Sequence, residues 1–151
     1  MHDETKIFMN HKYLPLLLIC ISFLVSCDFL QNELRTQADP ASVPGSWKVE
    51  RFEEGAQNET SSFNQIRFRF ESDGTFLVLR SGTEIARGIW ELSDRNRELI
   101  IDVPPFRNEE LAARTFGDDI YEIHDDWNVL EFSDNRMRIR DEDEEFILVR
   151  E

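Results

Sequence analysis

Few side chains in this sequence of 151 residues are of a kind that does chemistry, and their spacing limits them further. Two thiols are present: Cys20 lies inside an apolar run, and Cys27 lies just past its end. If the run is removed, Cys27 alone remains, so the mature chain has no internal disulfide and no thiolate zinc site. His124-Asp125-Asp126 sets an imidazole beside two carboxylates. Neighbours on a strand point to opposite faces and do not converge on one ion, so the triplet reads as a solvated turn. Asp141-Glu142-Asp143-Glu144-Glu145 lacks the glycine and the spaced oxygens of a calcium loop and reads as a charged hairpin tip. Arg136, Arg138 and Arg140 share one strand face, with Met137 and Ile139 on the other, and Arg67 and Arg69 repeat the pattern. They form either an anion-binding stripe or, the favoured reading, cross-strand pairs with the surplus acids at ~0.2–1 kcal/mol each. No serine stands in a Gly-x-Ser-x-Gly elbow, and no carboxylate spacing marks an acid and base pair. No catalytic residue, metal ligand or cofactor is expected, and an enzyme is only the third reading.

The elements that place these residues begin with a leader. Residues 13 to 25 are almost wholly apolar and follow Lys12. As a helix rising ~1.5 Å per residue they would cover about 20 Å, short of the roughly 30 Å hydrocarbon core. A positive start, a short apolar middle and small residues at its end make a secretory signal peptide. Asp3 and Glu4 are untypical of such a start, and translation is expected to begin at Met9. Leu24-Val25-Ser26-Cys27 resembles the bacterial lipobox. That resemblance implies a leader, residues 1–26, cut just before Cys27, whose thiol takes a diacylglycerol and whose freed amine is acylated (palmitate). Each buried methylene contributes about 0.8 kcal/mol, so several chains hold where one would not. The expected location is the bacterial cell envelope, lipid-anchored, in the outer membrane. Asp28 resembles an inner-membrane retention signal of some enteric bacteria, so the residues leave the choice of membrane open.

From Asp28 to Pro44 no periodic pattern is long enough to trust, apart from a short helix that Phe29 to Arg35 could form. Residues 27–44 are therefore expected to be the lipidated cysteine and a flexible tether with a reach of ~20–25 Å. The net charge of −14 falls entirely after Cys27, because Lys6 and Lys12 offset Asp3 and Glu4. An acidic domain repels phosphate backbones, which excludes nucleic acid as the expected partner.

Residues 45–151 form one domain of short alternating strands. The bias of 12 Phe against 2 Tyr favours an apolar core or a greasy cavity. Ile66, Phe68 and Phe70 alternate with Arg67, Arg69 and Glu71, and Ser72-Asp73-Gly74-Thr75 turns the chain back. Strands are expected at 47–52, 63–71, 76–80, 85–92, 99–103, 121–124, 127–132, 137–140 and 146–150. Gly88 suggests a bulge or bend. Asn108, Glu109, Glu110 and Gly117 frame one short helix or a long loop near 108–117. The fold class is thus all-β, a single antiparallel up-and-down barrel of about eight strands, with a sandwich as runner-up.

Gly45-Ser46-Trp47 at the first strand, Gly88-Ile89-Trp90-Glu91-Leu92 in the middle and the closing Phe146-Ile147-Leu148-Val149-Arg150 resemble the lipocalins and the lipocalin-like domains of bacterial lipoproteins. The Thr-Asp-Tyr motif of typical lipocalins is absent. The resemblance implies that Arg150 covers Trp47, and that the barrel has room for a small apolar molecule. The interior candidates are Phe68, Phe70, Phe76, Trp90 and Phe132, which either line a cavity or fill the barrel solid. Two readings stay open: a binding module for a small hydrophobic ligand, or an interaction lipoprotein with a solid core that meets an envelope protein.

Overall fold

The period-two stretches become strands that end where a turn residue or a bulge releases them. The computed structural model describes residues 36–117 and 119–151. The strands are β1 (Gly45–Glu54), β2 (Gln57–Asn58), β3 (Ile66–Phe70), β4 (Thr75–Arg80), β5 (Thr83–Ser93), β6 (Glu98–Asp102), β7 (Asp126–Ser133), β8 (Arg136–Asp141) and β9 (Glu144–Arg150). Among the described residues one α-helix, α1 (Glu109–Phe116), lies between β6 and β7. Neighbours are antiparallel in the order β2-β1-β3-β4-β5-β6-β7-β8-β9, and β1 pairs again with β9. Eight strands therefore close into a barrel, with β2 only a short flap on the end of β1. The expected barrel is the fold, and the sandwich is not.

Local chemistry sets the joints. Asp73 Oδ1 accepts the Thr75 N–H at 2.9 Å and Gly74 takes a positive φ of 86°, which makes the β3–β4 hairpin. Ladder breaks at Glu50, Ile85 and Leu130 mark bulges that bend β1, β5 and β7 around the barrel. The bulge in β5 thus falls at Ile85 and not at Gly88. Gly88 instead lets another strand approach: a Cβ there would stand 2.1 Å from the Asp102 carbonyl oxygen.

The closed end of the barrel gathers the starts of β1 and β8, the β3–β4 and β5–β6 turns, and the end of β9. The opposite end, the mouth, is covered by a 3-10 turn at Thr60–Phe63 and by the long connection from Val103 to Asp125. In that connection Asn108 Oδ1 accepts the Leu111 N–H at 3.0 Å and so caps α1, as its sequence implies.

Three expectations are corrected. Tyr121 to His124 is not a strand, because Ile120–Ile123 is a 3-10 turn whose two isoleucines, three apart, both point into the core. Phe63 does not begin β3; it ends the turn before it and drops into the mouth, 1% exposed. The third concerns residues 36–44, expected within a flexible tether. They lie along the closed end, with Ala38 and Val43 buried. The Thr36 N–H donates to the Val129 carbonyl at 2.8 Å and the Ala38 N–H to the Asn96 carbonyl at 2.7 Å. The bond from Thr36 meets β7 just where its pairing with β6 stops. The leader, the lipobox, Cys27 and the helix expected at 29–35 lie outside the described residues.

Candidate functional site

Three places could do something: the barrel interior, its closed end and its mouth. The interior is built from the alternating inward rows. Phe68, Phe70 and Phe76 are all buried, and Phe70 stands 4.9 Å from Phe76 between ring centroids. Phe52 stacks on Phe146 at 4.2 Å, while Phe63 meets Phe52 and Trp127 meets Phe146 edge-on at 5.2 Å. Such pairs are held by quadrupole geometry as well as burial. Trp90 and Phe132 belong to the margin, partly buried against this cluster. Each indole N–H finds a carbonyl: Trp47 at Val43, 2.9 Å; Trp90 at Glu71, 2.9 Å; Trp127 at Ile123, 3.1 Å. Rings that contact one another across the barrel leave the interior filled where they meet.

At the closed end the structure brings Gly45, Trp47 and Arg150 together. The Arg150 guanidinium carbon lies 4.4 Å from the Trp47 ring centroid. The same guanidinium donates to the carbonyls of Pro44 (2.7 Å), Ser42 and Asp134. A Cβ at position 45 would fall 2.0 Å from Arg150 Nη1, so only glycine leaves the arginine its place. This is a structural clasp in which each of the three guanidinium nitrogens donates to a backbone carbonyl.

The arginine row pairs with acids, as favoured. Arg138 grips Glu145 with two bonds of 2.9 and 2.8 Å, and Arg140 joins them on the same carboxylate. Arg136 holds Glu50 at 2.5 Å, and Arg67 holds Glu151 at 2.6 Å. Glu145, expected in an exposed tip, is instead 7% exposed beneath those arginines, and nothing in the acidic run marks it out. Burial alone would push its carboxyl up, but the bonds from Arg138 and Arg140 hold it below the usual range. Glu142 and Asp143 form the actual tip.

The mouth holds what the sequence did not show. His124 is not in a free solvated turn: its Nδ1 accepts the Val103 N–H at 3.1 Å and so pins the end of β6. Beside it a cleft of about 210 Å³ is lined by Glu109, Tyr121, Glu122 and His124, among others. Glu122, in the connection, and Glu144, at the start of β9, are near enough for each to raise or lower the other's proton affinity. Both are half-buried, and burial pushes both carboxyls up, Glu144 to about 8, with the nearby Glu54 adding repulsion. Burial and the bond to Glu122 also raise the Tyr121 phenol. Across the mouth a wider open cleft of about 580 Å³ lies between the β3 and β4 ends and the C-terminus of α1. Ser62, Gln65, Ile66, Arg80, Phe116 and Ile120 line it, and Arg80 donates to the Phe116 carbonyl. Among the described residues no three of His, Cys, Asp and Glu gather where they could hold a metal.

This geometry has solved counterparts. A lipocalin-like protein from Bacteroides uniformis superposes with a TM-score of 0.54 at 19% identity, covering 72% of this chain and 98% of its own. An uncharacterized protein from Bacteroides eggerthii gives 0.52 at 18% identity, with the same shares of 72% and 98%. The fold is a lipocalin-like barrel. At these identities the likeness is one of fold alone. No family model matches the chain, and no curated protein matches it either.

Proposed function

We propose that this is a lipoprotein of the bacterial cell envelope, anchored in the outer membrane through acylated Cys27, whose barrel is a solid, non-catalytic scaffold that meets an envelope protein from outside. The observation that carries the scaffold reading is the run of ring contacts among Phe52, Phe63, Phe68, Phe76 and Phe146, with centroids 4.2 to 6.3 Å apart. A molecule seated among them would have to displace aromatic rings whose removal from a core typically costs ~3–5 kcal/mol. The anchor rests on the lipobox resemblance, in which Cys27 is the acylated residue.

Two experiments test this. Cys27→Ala is expected to move the protein from the membrane to the soluble fraction; unchanged membrane association refutes the anchor. Native mass spectrometry of the purified protein is expected to show the bare polypeptide mass plus its acyl groups. An additional apolar passenger would overturn the solid scaffold. Binding of a small hydrophobic ligand is the second reading, and it is favoured by one observation, the open cleft at the mouth beside Phe116 and Ile120.

A further inference from the structure

β4 alternates Phe76 and Val78 inward against Leu77 and Leu79 outward, which places Arg80 next on the inward row, at the rim where the wall ends. An arginine on such a row needs a counter-charge or carbonyls to satisfy it. The arginines of the outer wall have one: Arg67, Arg69, Arg87, Arg136, Arg138 and Arg140 each hold a carboxylate. Among the described residues, Arg80 holds none, in a chain with 31 acidic residues. Asp119, on the same rim, is bound by the Ser62 hydroxyl at 2.6 Å. The one carbonyl that Arg80 reaches, that of Phe116, engages a single donor of a five-donor fork.

Apolar side chains adjoin this charge. Phe116 is the partly exposed apolar wall of the cleft. Its floor is formed by the buried Ile66, which pairs with Arg80 across β3 and β4, and by the buried Ile120. Gly117 lies between Ile120 and Arg80. A Cβ on Gly117 would be 3.9 Å from both Arg80 Nη2 and Ile120 Cδ1, so the missing side chain leaves open the space between charge and apolar wall. The polar edge is supplied by Ser61, Ser62, Asn64 and Gln65.

We propose that this cleft binds an organic monoanion, its acid group on Arg80 and its apolar body against the open face of Phe116 above Ile66 and Ile120. The site lies beside α1 at the rim, outside the ring-filled interior. The inference rests on and deepens the second reading above. Its failure leaves the anchored scaffold untouched, because that reading is tested by membrane fractionation and passenger mass.

The test is calorimetric titration of the full chain with 4-phenylbutyrate, with its neutral counterpart 4-phenylbutanol, and with inorganic phosphate. Saturable binding of 4-phenylbutyrate is expected, with at least tenfold weaker binding of the other two. Arg80→Gln keeps amide donors for the Phe116 carbonyl and is expected to weaken 4-phenylbutyrate at least tenfold. Ser61→Trp fills the cleft from its exposed edge without touching Arg80 and is expected to do the same, which decides the matter if Arg80→Gln fails to fold. No saturable binding, phosphate binding as well as 4-phenylbutyrate, or unchanged affinity in a folded variant each overturns the proposal.

Discussion

Arg150 lies over the Trp47 indole with its guanidinium carbon 4.4 Å from the ring centroid, and joins the last strand to the first. The contact combines a cation over an aromatic face with hydrogen bonds to the carbonyls of Ser42, Pro44 and Asp134. Arg150→Ala removes both and is expected to destabilise the fold by about 2–4 kcal/mol in urea unfolding. Arg150→Lys keeps the charge without the fork and should fall between. A loss under ~0.5 kcal/mol for the alanine variant would show that the clasp contributes nothing.

Gly88→Ala forces a methyl group against the Asp102 carbonyl and the Val103 Cα, both backbone atoms with no rotamer to yield. A loss of about 2–3 kcal/mol is expected from overpacking. Gly82→Ala, which meets nothing within 4 Å, costs only the strain of its φ of 81°, about 1 kcal/mol. Equal losses at the two positions would refute the close-approach account.

Glu144 carries a folded-state carboxyl raised to about 8 by burial and by Glu122. A raised value means that the folded protein holds a proton that the unfolded chain has released. The associated stability is therefore complete below about pH 4.5 and is lost as the pH rises to about 8. Thermal unfolding from pH 5 to 9 should show a declining midpoint in the native chain. In Glu144→Gln the decline should be flatter, with the variant more stable than the native chain at pH 9. A native profile flat across that range would contradict the raised Glu144 carboxyl.

Glu145 has the opposite sign. Held below the usual carboxylate range by Arg138 and Arg140, it stabilises the fold above the unfolded value of 4.5, and this is lost as the pH falls through its folded value. Glu145→Gln is expected to cost about 1–2 kcal/mol at pH 7, limited because Arg138 and Arg140 are themselves partly exposed. The variant should also lose less stability than the native chain on acidification; an identical acid limb would exclude the pairing.

The barrel was legible because its strands state their pattern locally. Ile66, Phe68 and Phe70 against Arg67 and Arg69 specify a face, and Asp73-Gly74 specifies a turn, without reference to anything distant. Arg150 over Trp47 was reachable through resemblance. The mouth was not legible. Ile120-Tyr121-Glu122-Ile123 has the composition of a strand, and only the need to cover the barrel end turns it into a 3-10 turn. Glu145 sits in an acidic run, and its burial follows from the register of β8 against β9, which puts it opposite Arg140. Arg80 looked like the last residue of a strand; its significance depends on α1, which comes to rest beside it from thirty-odd residues further on.

The bonds from Thr36 and Ala38 to Val129 and Asn96 also bear on the order in which the molecule can assemble. A chain made from its N-terminus has residues 36–44 long before β7 exists to receive them, and has Trp47 before Arg150. The pairing of β1 with β9 waits for Glu144–Arg150 as well. Closing contacts over such separations carries a loop-entropy cost that is recovered only when the ends meet. The barrel is thus closed by β9, the last of these strands in chain order. A chain cut before β9 loses the clasp and the closing ladder together, so the barrel stays open until Glu144–Arg150 is in place.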